Sequence, residues 1–404
     1  MSDDARPSGF GTRAIRAATR LPRVEQEPDA VPIYQTVTFS AADAEELGDV
    51  LAERKPGYAY SRLDNPTSLA VGEAFAELAG GEAGFAFASG MAAIHATLLS
   101  LLRAGDHVVA ARALYGSTHH LLAGVLAGLG IETSFVDATD HDAVAAAITP
   151  QTKALYLETL ANPTIVVSDV PALAELGQRH GLTVVVDNTF ASPYLCRPLE
   201  LGADLVVESC TKWLGGHSDV LAGAVAGSSA RIAAARAVQI DTGGSLAPFS
   251  AFLVLRGIET LHVRMDRHCQ TALALARVLE SSTAVGQTWY PGLASHPQFV
   301  VAQRLLRAGG GMLAFDLGTR AAATALLDAL TLAPRTASLG SVRTICVHPP
   351  SSTHRQMGPE ELAQAGIREG LVRVSVGLED AEDLIADFER GLAAAAGAAS
   401  AVSA

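Results

Sequence analysis

Lys212 stands in the run Ser209-Cys210-Thr211-Lys212-Trp213-Leu214-Gly215-Gly216-His217, directly after the apolar stretch 205–207. A lysine at the end of a buried strand is partly desolvated, which lowers its pKa and frees the neutral amine to act as nucleophile and base. An isolated lysine is more often a solvated surface residue, but the flanking hydroxyls and the Gly-Gly-His segment favour a functional position. Asp187 closes the apolar run 183–186 and precedes Asn188-Thr189. A carboxylate there can pair with a bound cation or, more plainly, serve an Asx turn or a helix cap. Ser89-Gly90-Met91 joins the apolar 85–88 to the helix-like 92–102. A small-residue entry into a helix offers backbone N–H groups to an anion, although such turns are often only structural. Tyr115, in Leu114-Tyr115-Gly116-Ser117-Thr118, could stack on a flat ligand and move a proton, or simply pack. Arg373 is harder to explain blandly, because a guanidinium inside the apolar run 371–376 needs a carboxylate partner.

These residues need a scaffold that brings them together. Between about residues 80 and 225, short apolar runs at 107–110, 132–136, 154–157, 183–187, 204–208 and 223–226 alternate with helix-like stretches. One such stretch, 170–180, opens near Pro171 and stops at Gly181. Strand–helix–strand repetition predicts an α/β domain around a mostly parallel sheet. Ligands of such sheets bind outside the carboxyl ends of the strands, which is where Asp187 and Lys212 fall. Residues 1–60 are punctuated by Pro22, Pro28, Pro32 and Pro56, have weak periodicity, and read as an extended arm. Residues 61–255 form the large domain. From 256 to 404, long Ala/Leu/Arg-rich stretches mix with runs at 312–316 and 371–376, predicting a smaller α+β domain whose tail, 393–404, frays.

Composition narrows the partners. The 404 residues carry 29 Lys plus Arg against 42 Asp plus Glu, a net charge of −13, which argues against nucleic acid. No apolar run approaches the roughly 20 residues of a membrane span, and Met1-Ser2-Asp3-Asp4 is unlike a signal peptide. Cys196, Cys210, Cys269 and Cys346 lie far apart with no C-x-x-C pair, which predicts no metal site, no disulfide framework and a cytoplasmic setting.

An amine, a rim carboxylate, an anion cradle and a guanidinium are together what a pyridoxal 5'-phosphate (PLP) enzyme needs. They supply the attachment point, the partner of the ring nitrogen, the phosphate site and the grip on the substrate carboxylate. The chain resembles the PLP-dependent Cys/Met metabolism (transsulfuration) family from about Pro32 to Leu392. The carriers of the resemblance are Tyr58-Ala59-Tyr60-Ser61-Arg62 with Asn65-Pro66-Thr67, Ala88-Ser89-Gly90-Met91-Ala92, and Glu158 through Asn162-Pro163-Thr164. Val186-Asp187-Asn188-Thr189-Phe190, Thr211 through Asp219, Tyr290-Pro291-Gly292-Leu293 and Arg373 through Asp380 complete the set.

The resemblance implies an aspartate-aminotransferase-like (type I) PLP fold, and a homotetramer built of two dimers with shared active sites, the arm 1–60 touching a neighbour. It implies Lys212 as the lysine that carries PLP, Asp187 as partner of the ring nitrogen, and Gly90, Met91, Ser209 and Thr211 as phosphate ligands. Tyr60 and Arg62 would reach the neighbour's phosphate, Tyr115 would stack and act as acid or base, and Arg373 with Asn162 and Ser338 would hold the substrate carboxylate. The implied activity is γ-elimination on a sulfur-containing amino acid, in cysteine and methionine metabolism. Alternatives are γ-replacement on an O-acylhomoserine and, more remotely, another type I PLP enzyme or a non-catalytic homologue. Methionine γ-lyases of the family carry a cysteine where Ser117 stands and a Lys-Asp pair where Gln239-Ile240 stands, departures that point away from methionine. Arg343, in Arg343-Thr344-Ile345, resembles the sulfhydrylases and is expected near the substrate's far end, or in an ion pair with Asp241 or Glu379.

Overall fold

The computed structural model describes residues 28–355 and 357–402. The strands follow the apolar runs closely: β1 Ala83–Phe87, β2 His107–Ala111, β3 Glu132–Val136, β4 Thr152–Glu158, β5 Thr183–Asp187, β6 Leu205–Glu208 and β7 Gly223–Gly227. They form one seven-stranded sheet in the order β1-β7-β6-β5-β4-β2-β3. Every neighbouring pair from β6 to β3 is parallel, whereas β7 runs antiparallel to both β6 and β1. Val184–Val186 and Leu205–Val207 are fully buried, as continuous β-branched and leucine runs should be when helices cover both faces.

A second sheet, of β8 Gln287–Trp289, β9 Met312–Asp316, β10 Ile345–Val347 and β11 Leu371–Ser375, is antiparallel throughout, in the order β10-β11-β9-β8. Two long helices, Leu261–Ser281 and Ala381–Val402, pack with it around Phe315 and Phe388. The tail expected to fray therefore continues as helix to Val402, consistent with its alanines, the best helix formers.

Among the described residues, those from Ile33 onward form one compact unit. Residues 1–27 of the expected arm lie outside the described residues. The stretch 33–60 is mostly exposed, as an arm should be, but it is not wholly extended. Asp43 caps a helix, Ala44–Leu51, by accepting the Glu46 N–H.

Candidate active site

The carboxyl ends of β4, β5 and β6 converge on a cleft of about 240 Å³ at the rim of the large sheet. Its lining includes Gly90, Met91, Tyr115, Asn162, Asp187, Ser209, Thr211, Lys212, Ser338 and Arg373. Residues that stand up to several hundred positions apart in the sequence thus surround one space in the fold.

Lys212 follows β6 by one tight turn, in which its N–H donates to Ser209 O at 3.1 Å. Burial, and then the neighbouring Arg373, pull the lysine down to about 8, so a neutral amine is readily available. Its Nζ donates to Ser338 Oγ at 3.1 Å. The turn is clamped from below. Arg264, itself buried, donates to Trp213 O at 2.6 Å and to Gly257 O, while the Trp213 indole donates to Phe190 O at 3.0 Å. Gly340, at φ +76°, runs against the lysine's own backbone, and a Cβ there would lie 2.7 Å from the Lys212 carbonyl carbon.

Three carboxyl groups, Glu158, Asp187 and Glu208, end adjacent strands, and all three are buried. Burial pushes each of them up, and the Asp187 charge adds to the rise at Glu158 and Glu208. Asp187 resists through the Thr189 N–H, which donates at 2.9 Å, and the Tyr156 hydroxyl at 3.4 Å. A cationic ring nitrogen is the kind of partner such an acid cluster favours. Glu158 also holds backbone in place. It accepts the N–H of Tyr115 at 2.7 Å and of Asn162 at 3.0 Å, tying two loops of the cleft together.

The anion cradle is also built. Ser89 caps the helix Gly90–Leu101 by accepting from Ala92 N at 3.1 Å, which leaves the earliest helical N–H groups to face the cleft. A Cβ on Gly90 would sit 2.7 Å from Ser209 Cβ, so only glycine lets the helix start approach Ser209 this closely. Lysine amine, rim carboxylate and helix-start cradle around one cleft fit PLP, with Lys212, Asp187, and Gly90, Met91, Ser209 and Thr211 as the residues to hold it.

Arg373, on β11, is 3% exposed and reaches across to the large sheet. Its Nη1 donates to Asn162 Oδ1 and its Nη2 to Ser338 O, each at 2.8 Å, and burial pulls it only to about 10, so it stays charged. Its Nε is buried without a partner, and no acid pairs with the guanidinium among the described residues. Arg373 also lines the cleft, where its charge suits a substrate carboxylate.

Three expected site residues lie elsewhere. Tyr60 and Arg62 are outside the cleft lining; the guanidinium of Arg62 lies 5.5 Å from the centre of the Tyr60 ring, and its Nη1 donates to Ile240 O at 2.7 Å. Arg343, expected near the substrate's far end, is exposed and also outside the lining of its own chain's cleft. The reason is local: Thr344 donates its N–H and its hydroxyl to Glu379, each at 2.7 Å, and Val342 N donates to Gly216 O, so the turn aims Arg343 at solvent. Glu379 is satisfied by Thr344, and no ion pair of Arg343 occurs among the described residues. Ser117 and Gln239 are likewise absent from the lining. The sequence alone assigned no role to Glu158, Thr189 or Arg264; only the strand register, which sets Glu158 beside Asp187, brings Glu158 to the site. Among the described residues, no group of His, Cys, Asp and Glu side chains is placed to hold a metal ion, and no helix is long and apolar enough to cross a membrane.

The model of one family, Cys/Met metabolism PLP-dependent enzymes, matches residues 11–393. This chain belongs to that family. It is 46% identical to the L-methionine gamma-lyase of Pseudomonas putida over 391 residues, covering 96% of this chain and 98% of that one. It is 42% identical to the cystathionine gamma-lyase of Bacillus subtilis over 364 residues, covering 90% and 94%. Among solved structures, a Campylobacter jejuni chain described as an O-acetylhomoserine (thiol)-lyase, with N'-pyridoxyl-lysine-5'-monophosphate, superposes with a TM-score of 0.89 at 32% identity. That likeness covers 92% of this chain and 97% of the other. PLP is the cofactor of this family, and the cradle, the amine and the acid described above accommodate it.

Proposed function

We propose that the chain carries out γ-elimination on a sulfur-containing amino acid, releasing a thiol, 2-oxobutyrate and ammonia. One observation carries the proposal: Ser338 joins the two ends of the site, its hydroxyl accepting from the Lys212 amine and its carbonyl from Arg373. A substrate whose carboxylate meets Arg373 in the cleft has its α-carbon beside Lys212. The amine, held near neutrality by burial, takes the proton from that carbon and then one from the neighbouring β-carbon, so that the bond to the γ-sulfur can break. Water supplies the oxygen of the 2-oxo acid as ammonia leaves. Tyr115, whose ring lines the cleft, hands a proton to the departing sulfur. Asn162 fixes the Arg373 fork, and Glu158 fixes both Asn162 and the Tyr115 loop. Bound PLP supplies the electron sink that makes loss of these protons feasible, with Asp187 keeping its ring nitrogen protonated.

The likeness to methionine gamma-lyase favours methionine among the substrates. Ser117 and Gln239-Ile240, whose types pointed the other way, do not line the cleft of this chain and carry little weight against it. γ-Replacement on an O-acylhomoserine is the second reading, favoured by the Campylobacter likeness. Supplying O-acetylhomoserine with a thiol decides between them: 2-oxobutyrate with ammonia supports elimination, whereas thioether as the main product supports replacement. Charge reversal in Arg343→Glu should change the thioether to 2-oxobutyrate ratio by less than about fivefold, as befits an exposed charge worth at most about 1 kcal/mol. A larger change would return Arg343 to the substrate.

The assembly is proposed to be a homotetramer of two dimers, in the cytoplasm, with the chain divided near residues 60 and 255. The support is that Tyr60 and Arg62 lie outside their own chain's cleft, while Leu221, on the cleft's lip, is 68% exposed. Four buried unpaired cysteines suit a reducing compartment. Mixed oligomers of inactive Arg62→Ala and Lys212→Ala chains should recover activity, up to about a quarter of the parent value if assembly is random. Hybrids verified by mass that stay inactive would show that Arg62 does not serve a neighbouring site.

A further inference from the structure

The helix Leu261–Ser281 reaches both ends of the site without lining the cleft. Its Arg264 and His268, four residues apart and so on one face, are 5% and 0% exposed. Arg264 spends its guanidinium on two segments. Its Nη1 donates to Trp213 O at 2.6 Å and its Nη2 to Leu214 O at 3.4 Å, both directly after Lys212. Nη2 also donates to Gly257 O, near the end of the preceding helix Pro248–Glu259, and Nε donates to Thr260 Oγ1 at 3.2 Å. Gly257 permits this approach, since a Cβ there would lie 2.2 Å from Leu214 O. Burial pulls Arg264 only to about 10, so it stays charged at pH 7, yet no acid pairs with it among the described residues. A buried charge is costly, and an apolar side chain of similar length would fill the space without that cost. What the guanidinium adds is a set of charge-assisted bonds to the backbone beside Lys212.

His268 carries the same face toward the other end of the site. Its ring stands edge-on to the Trp213 indole, 4.8 Å between centres, and its Nδ1 donates to Val376 O at 2.7 Å. Val376 follows β11 directly, three residues after Arg373, and its own N–H donates to Gly311 O at 2.8 Å. Gly311 has no room for a side chain, because a Cβ would meet the Trp213 ring at 2.6 Å. Burial pulls His268 down to about 4, so it is neutral at pH 7, with its proton on Nδ1, where Val376 O accepts it. One turn of one helix thus grips Trp213 at its carbonyl and at its ring, and is tied to the strand that carries Arg373.

We infer that Arg264 and His268 are positioning residues that set the separation between the Lys212 amine and the Arg373 guanidinium. They act through Trp213 and Val376. The inference rests on the roles proposed for Lys212 and Arg373, but the proton transfer it concerns comes before any loss of sulfur.

Exchange of the α-hydrogen of L-alanine in D2O, followed by NMR with the holoenzyme, reads that proton transfer alone, since alanine has no γ-carbon. Arg264→Met should slow the exchange about 10- to 100-fold, the cost of misplacing a reacting group by about 1 Å, with half-saturating alanine changed less than about threefold. Arg264→Lys should recover part of the rate. His268→Asn, whose amide can still donate to Val376 O, should keep most of the parental rate, whereas His268→Leu should fall with Arg264→Met. The pH at which the lysine-bound cofactor changes its absorbance should move in Arg264→Met and stay in His268→Asn. Circular dichroism melts show which variants are folded at the assay temperature, and if Arg264→Met is not, the two His268 variants decide. Folded Arg264→Met and His268→Leu proteins that melt earlier but exchange at the parental rate, with unmoved absorbance, would overturn the inference. So would a rate loss that added PLP restores in full, or a parent protein without exchange. A parent that exchanges alanine's hydrogen but yields no 2-oxobutyrate from methionine would instead defeat the γ-elimination reading, and the variants would still decide the positioning.

Discussion

Lys212→Ala should abolish turnover and the visible absorbance of lysine-bound cofactor together. No other lysine lines the cleft, so nothing replaces the amine either as attachment point or as base. Loss of a positioned acid–base group alone costs about 10²–10⁴-fold, and loss of the attachment point adds to it. The variant should nevertheless fold, because the turn around residue 212 is held by Arg264 and by the Trp213 indole, not by the lysine side chain. Stopped turnover with normal circular dichroism is the expected result. An alanine variant that keeps turnover and absorbance would remove Lys212 from the chemistry.

Arg373→Ala should leave the absorbance nearly intact and chiefly raise KM. Truncating one partner of a buried, hydrogen-bonded charge pair costs about 2–5 kcal/mol, which corresponds to roughly 30- to 5,000-fold in kcat/KM. Arg373→Lys should recover only part of this, since a point ammonium cannot reproduce a fork that already spends one arm on Asn162 and another on Ser338. A substrate analogue lacking the carboxylate should lose the distinction between parent and variant. If Arg373→Ala left KM unchanged while weakening cofactor absorbance, the arginine would belong to the cofactor's side of the site.

Much of this site was legible because strand ends carry its chemistry. Continuous runs such as Val184–Val186 announce strands covered on both faces, and the residue that breaks such a run at its carboxyl end, Asp187, falls at the sheet rim by geometry alone. Arg373 was legible for the opposite reason: a charge inside an apolar strand needs a partner, and among the described residues no acid pairs with it. Strand direction was not legible. Gly223–Gly227 is short, small and buried throughout, so periodicity could not tell that β7 runs against its neighbours. The direction of Arg343 was not legible either, because it depends on how the Thr344 backbone pairs with Glu379, a contact between segments 35 residues apart that residue types alone do not fix. Glu158 escaped notice because it serves two backbone N–H groups, those of Tyr115 and Asn162, and backbone donors leave no trace in a sequence.

The most direct measurement is the stoichiometry of the products from purified holoenzyme given methionine or cystathionine, with thiol, 2-oxobutyrate and ammonia assayed in the same reaction. γ-Elimination through Lys212 requires the three to appear in equal amounts, with none formed by Lys212→Ala. A 2-oxo acid formed without ammonia, or no thiol from either substrate, would contradict the assignment.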